Sequence, residues 1–225
     1  MGLLFFLLSC VTPNKNTELQ SNSLVSVTEL LLICEENKED TCKIGASFAK
    51  GTATRIRYGT NYYWLTAGHV CTSVGEIQNS VTVKRKVLIT IADSGEKKEF
   101  EEISYNLKKD LCAIKAEKGP ARDLAIKNPN KKDHVYTVAY PSGAFDKDVF
   151  PMYEGRWAGF MKEENKCLTS IPVAGGSSGA AVLNSRDEVV GVVSSVMKNF
   201  NHFSLIVCLE DVRDFLKMID SNQEQ

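Results

Sequence analysis

Two segments carry residue types from which a hydrolytic centre is built. Ala174-Gly175-Gly176-Ser177-Ser178-Gly179-Ala180-Ala181-Val182 sets adjacent serines in a glycine-rich loop that runs into a short apolar stretch. Glycines allow backbone with φ > 0, so such a loop can turn tightly and aim several N–H groups at one spot. Trp64-Leu65-Thr66-Ala67-Gly68-His69-Val70-Cys71 is an apolar run that ends in small residues before a histidine. Small residues there let the backbone bend and carry an imidazole to a cleft. A hydroxyl is a poor nucleophile until a base takes its proton. The base needs a third group to hold its tautomer, and the developing oxyanion needs donors aimed at it. The glycine loop alone also fits an ordinary hairpin turn. A phosphate loop is excluded, because Gly-Lys-Ser/Thr and a following helix are both missing. The other two histidines, His134 and His202, have no such setting and read as surface or satisfied core residues.

The elements that would position these groups are mostly strands. Ala46–Ile56, Tyr62–Thr66, Val81–Ala92, Leu111–Ala116, His134–Tyr140, Ala181–Leu183, Val189–Val196 and Phe203–Leu209 are β-branched, apolar or alternating runs. Asp93–Glu96 and Asn184–Asp187 read as hairpin turns. Helical periodicity is strongest over Glu210–Ile219, where Val212, Phe215, Leu216 and Ile219 form one apolar stripe. Regularly spaced strands with one terminal helix imply an all-β barrel or sandwich.

In this setting the boxes resemble those of the trypsin-like, chymotrypsin-fold serine peptidases. Thr66-Ala67-Gly68-His69 is similar to their Thr-Ala-Ala-His box, and Gly176-Ser177-Ser178-Gly179-Ala180-Ala181 to their Gly-Asp-Ser-Gly-Gly-Pro box. Asp110-Leu111-Cys112-Ala113-Ile114 is similar to the Asp-Leu-Ala-Leu strand that supplies the triad acid. The order is His, Asp, Ser, with Asp110 41 residues after His69 and Ser178 68 residues after Asp110. Gly191-Val192-Val193-Ser194-Ser195 resembles the strand that pairs with substrate backbone, and Leu209–Lys217 the closing helix. The resemblance spans about Ile44 to Ile219.

The resemblance implies an all-β fold of two six-stranded antiparallel β-barrels with a C-terminal α-helix, and a site in the crevice between them. It implies a catalytic triad of His69, Asp110 and Ser178 and oxyanion donors from Gly176 and Ser178. It further implies a substrate pocket with Pro172 at its base, Val196 at its wall, and Ser194 and Ser195 along the cleft. Pro172 is no acid, so a preference for Lys or Arg at P1 is not supported, and Val196 would narrow the entrance, which points to a small or apolar P1 residue. Two departures qualify the match. Ser177 stands where digestive members carry an Asp that pairs with a newly cut N-terminus, so no such activation switch is expected. Ser177 is also an alternative nucleophile. Cys71 lies two residues after His69 rather than one, out of step with the family's disulfide beside the histidine.

Composition narrows the remaining classes. In 225 residues the net charge is −1, so no overall field favours nucleic acid or an anionic membrane. With 43% hydrophobic residues, the chain can bury a core of its own. The seven cysteines include no CxxC pair, and no metal or other cofactor is expected. Residues 1–10 read as a hydrophobic leader too short to span a bilayer, ending in Leu7-Leu8-Ser9-Cys10. That tetrapeptide resembles the bacterial lipobox, although no Lys or Arg precedes the apolar run. It implies lipidation at Cys10 and an exported, periplasmic or cell-envelope lipoprotein, with a lipid anchor as its link to the membrane. Residues 11–23 read as a flexible tether, 24–220 as the peptidase domain and 221–225 as a tail. The other six cysteines are compatible with up to three disulfides of open connectivity, with a buried thiol as the alternative for Cys112. The expected partner is a polypeptide substrate. The alternatives are a catalytically inactive module of the same fold that binds peptides or envelope partners, and an esterase using the same triad. An α/β-hydrolase is excluded, because its nucleophile comes first in chain order within Gly-x-Ser-x-Gly.

Overall fold

The computed structural model describes residues 24–34, 43–71, 82–91, 95–140, 151–198 and 200–223. The leader, Cys10, the tether up to residue 23 and part of the Asp93–Glu96 turn lie outside these residues.

The first unit is an eight-stranded sheet: β1 (Leu24–Cys34), β2 (Lys43–Tyr58), β3 (Asn61–Thr66), β4 (Thr82–Ile91), β5 (Lys97–Phe100), β6 (Ser104–Asn106), β7 (Leu111–Lys115) and β8 (Arg122–Asp123). The order is β5-β4-β1-β2-β3-β7-β6, all antiparallel, and β8 pairs in parallel with β2. The second unit comprises β9 (His134–Val138), β10 (Met152–Met161), β11 (Lys166–Thr169), β12 (Ala181–Asn184), β13 (Val189–Met197) and β14 (Phe200–Cys208). These close into a barrel in the order β10-β11-β14-β13-β12-β9. Helix α1 (Gly68–Cys71) is a single turn, and α2 (Leu209–Gln223) follows β14.

Burial along the strands marks where they leave the core. Along β13, Val189 to Ser194 are buried and Ser195 and Val196 exposed, so the strand leaves the barrel interior where it reaches the cleft. The helical stripe of Val212, Phe215, Leu216 and Ile219 is buried as its period predicts. It packs in one cluster with Ile56, Leu65 and Leu111 of the first unit and Val192 and Val207 of the second. Burying side chains of this size contributes about 1.5–3 kcal/mol each, so the contact between the units is itself a core. Glu210 and Asp211 in the first turn of α2 suit the positive end of its dipole. Tyr63 and Asn61 donate to Asp220, which ties the end of this helix to β3.

Among the described residues, two disulfides join elements the sequence could not pair. Cys71–Cys112 links α1 to β7, and Cys167–Cys208 links β11 to β14. The reading of Cys112 as a thiol is therefore corrected. The helical turn after Gly68 brings Cys71 back over β7, with a Cα–Cα separation of 6.4 Å, and the offset of Cys71 from His69 is absorbed by that turn.

Candidate active site

His69 lies in α1, between Gly68, which packs against the Asp110 backbone, and buried Val70. A Cβ at Gly68 would sit 3.2 Å from the Asp110 Cα, so the missing side chain lets the two segments approach. Asp110 ends a tight turn in which its N–H donates to the Leu107 carbonyl at 3.2 Å and the Lys109 N–H to Asn106 Oδ1 at 3.0 Å. Its φ of 60° lies in the left-handed region, which Asp tolerates better than most residues.

The Asp110 carboxylate is held on both oxygens. Oδ1 accepts from His69 Nδ1 at 2.9 Å and from the His69 backbone N–H at 3.0 Å. Oδ2 accepts from Ser194 Oγ at 2.5 Å. Burial alone would raise its pKa, but the bonds from His69 and Ser194 and the field of His69 outweigh it and hold the carboxyl down at about 2. The group is thus an anion across the physiological range, and it fixes which imidazole nitrogen carries the proton. With Nδ1 donating, the other ring nitrogen of the neutral imidazole is left as an acceptor.

The serine loop is shaped by two left-handed glycines, Gly176 at φ 93° and Gly179 at φ 88°. A Cβ at Gly179 would come within 2.0 Å of Thr66 Oγ1 and 2.3 Å of the Thr52 carbonyl, so only glycine fits between the units there. Thr52 fastens the loop from the first unit. Its N–H donates to the Ser178 carbonyl at 2.8 Å and its hydroxyl to the Gly176 carbonyl at 3.0 Å. Its own carbonyl accepts from Thr66 Oγ1 at 2.8 Å. The Ala180 N–H donates to the Ser177 carbonyl at 3.1 Å, which orients the peptide carrying the Ser178 N–H. The N–H groups of Gly176 and Ser178 enter none of the hydrogen bonds made among the described residues.

His69, Asp110 and Ser178 line one cleft of about 360 Å3, together with Val173, Ala174, Gly175, Val193, Ser194, Ser195 and Val196. Ser178 Oγ is 3.5 Å from the Ser194 carbonyl, and among the described residues no hydrogen bond joins it to His69. Catalytic contacts of this kind are often long in a free enzyme and tighten with substrate. Ser177 is fully buried, and its hydroxyl finds no partner among the described residues.

The sequence expectations fare unevenly. Gly176, Ser178, Ser194, Ser195 and Val196 sit at or beside the cleft. Pro172 does not line it, because the segment alternates as a strand does: Ile171 and Val173 are buried and Pro172 is exposed. Ser194, expected only along the cleft, proves to be a donor to Asp110. Sequence reasoning missed Thr52 altogether. The signal was present in Gly51-Thr52-Ala53-Thr54, but its partners in the serine loop lie more than 120 residues away. His134 stands apart, 3.5 Å from Glu154, and His202 is exposed.

Residues 51–192 match the family described as "Trypsin-like peptidase domain". The fold is similar to the crystal structure of the serine endoprotease from Yersinia pestis, with a TM-score of 0.64 and 15% sequence identity over 92% of this chain and 67% of that one. No curated protein matches the sequence.

Proposed function

This chain belongs to the trypsin-like peptidases, and from that premise we propose that it is a serine endopeptidase working through an acyl-enzyme. Ser178 attacks the scissile carbonyl while His69 takes its hydroxyl proton. The Gly176 and Ser178 N–H groups receive the oxyanion, each such donor being worth about 3 kcal/mol in the transition state. The tetrahedral intermediate then collapses, His69 returns the proton to the leaving amine, and the acyl group stays on Ser178. Water attacks that ester with His69 again as base, which releases the acid and restores the serine. Asp110 remains ionised throughout, orienting His69 and stabilising its imidazolium. The observation that carries this reading is the doubly held Asp110 carboxylate, bonded to His69 in a cleft that also contains Ser178.

Val173, Ala174, Val193 and Val196 are the apolar walls of the cleft, and Asp110 is its one carboxylate among the described residues. These walls favour a small or apolar P1 residue, and a peptide-library cleavage profile tests that preference. The two disulfides suit an oxidising compartment and so support export. Lipidation at Cys10 is tested by mass spectrometry of the N-terminal peptide after expression in a bacterial host, where an unmodified Cys10 contradicts it.

The deciding experiment for the function sets Ser178→Ala beside Ser177→Ala in peptide cleavage. The first is expected to lower kcat by roughly 10³-fold or more, and the second to leave it near wild type. The reverse pattern overturns the nucleophile assignment. A folded wild-type protein that cleaves no peptide in the library supports the inactive, peptide-binding module instead.

A further inference from the structure

Lys166 begins β11 of the barrel, yet its ammonium reaches the other unit, where Nζ donates to the Lys109 carbonyl at 3.0 Å. That carbonyl belongs to the peptide bond leading into Asp110, so the contact grips the backbone at the left-handed residue of the acid turn. The next residue after Lys166 is fixed to the end of β14 through Cys167–Cys208, which makes β11 a stiff base for the reach. The Lys109 side chain is held separately by α2, with Nζ 3.0 Å from Asp211 and 3.5 Å from Asp214. Lys166 is half-buried. Burial pulls its ammonium below the usual lysine range, while the Asp110 and Asp211 carboxylates oppose that shift.

We propose that Lys166 is a positioning residue: its bond across the two units to the Lys109 carbonyl fixes the Asp110 turn, and through it the Asp110–His69 hydrogen bond. Such a tether has a function beyond holding the units together. Within the turn the Asp110 and Lys109 N–H groups are bonded locally and the Lys109 carbonyl takes its bond from Lys166, and a carboxylate displaced by a fraction of an ångström no longer meets Nδ1 and the His69 N–H at once. Reacting groups misplaced by about 1 Å can cost 10²-fold in rate. The proposal rests on the reading of His69 as base and Asp110 as its orienting acid.

The test uses the full chain and two readouts. One is the low-field proton NMR resonance of the carboxylate-bound Nδ1–H of His69, which needs no activity. The other is the rate at which a fluorophosphonate labels Ser178. In Lys166→Met the resonance is expected to broaden away under conditions where the wild type shows it, with labelling slowed roughly 10- to 100-fold. Lys166→Arg, which keeps a charged donor, is expected to retain both. Lys109→Met keeps the backbone carbonyl, so it is expected to lower the melting temperature and leave the resonance in place. If Lys166→Met does not fold, Lys166→Gln, uncharged and shorter, is read in the same way. A folded uncharged variant with wild-type resonance and labelling rate overturns the proposal. A wild type that shows the resonance but is never labelled at Ser178 rejects the functional reading instead, and the resonance still decides the role of Lys166.

Discussion

The two sides of the cleft are built differently. On the His69–Asp110 side, both carboxylate oxygens, the His69 N–H and its Nδ1 are bonded within the chain, and the Cys71–Cys112 disulfide joins the two segments that carry the pair. On the Ser178 side, the loop is fastened by its carbonyls, to Thr52 and Ala180, while the Gly176 and Ser178 N–H groups enter none of the bonds among the described residues. One side is fixed by bonds already made; the other is rigid in frame but left with donors to give. This is the division that acyl transfer requires, since the base must be oriented beforehand and the oxyanion donors must be free for a charge that exists only during reaction.

Removing the bonded side should have the largest effect. Asp110→Asn is expected to lower kcat by roughly 10³- to 10⁴-fold in peptide cleavage, because the amide cannot fix the imidazole tautomer. His69→Ala should match it. A loss below tenfold for either would break the contrast. Breaking the frame of the other side comes next. Gly179→Ala must hold φ 88° and push Thr66 and the Thr52 carbonyl aside, so it should lose about 2–5 kcal/mol in chemical denaturation. Thr52→Val removes the hydroxyl that donates to the Gly176 carbonyl and accepts from the Tyr140 N–H at 3.0 Å. It should cost about 1–3 kcal/mol, with activity falling more than stability alone explains.

The pH dependence sharpens the same contrast. The pKa of Asp110 falls from an ordinary 3.8 to about 2 in the folded protein. A depressed carboxyl stabilises the fold above the unfolded value and loses that stabilisation as pH falls from about 3.8 through about 2. Ser194→Ala removes one of the bonds that depress it, so the acid-unfolding midpoint should move to higher pH. An unchanged midpoint would mean that Ser194 does not hold the carboxylate in solution. The smallest effect belongs to Ser177→Ala, which deletes a buried hydroxyl with no partner among the described residues. It should be neutral or stabilise by about 1 kcal/mol in thermal or denaturant unfolding.

What the sequence disclosed was local. His69, Asp110 and Ser178 each sit in a short box whose small and apolar neighbours record the bend or strand that presents them. The α2 stripe and the strands with unbroken β-branched runs, such as β4 and β13, were legible for the same reason. β10 was not, because Gly155 and Gly159 interrupt its pattern with residues that favour turns over strands. In the fold, Gly155 lets the strand approach Ser170 and Ile171 closely, and Gly159, at φ 121°, follows a register shift in the pairing with β11. β1 was overlooked beside the polar segment that precedes it. The contacts that complete the site, from Thr52 to Gly176, Ser194 to Asp110 and Lys166 to Lys109, join positions 57 to 124 residues apart. No local pattern encodes them, because each residue is ordinary in its own strand.

The central claim is that Ser178 is a nucleophile activated by His69, and covalent labelling tests it most directly. The full chain is treated with a fluorophosphonate, digested and sequenced by mass spectrometry, in parallel with the His69→Ala variant. The account predicts a single adduct on Ser178 in the wild type and none at that site in the variant over the same time. An adduct on Ser177, or equal labelling of Ser178 with and without His69, would contradict it.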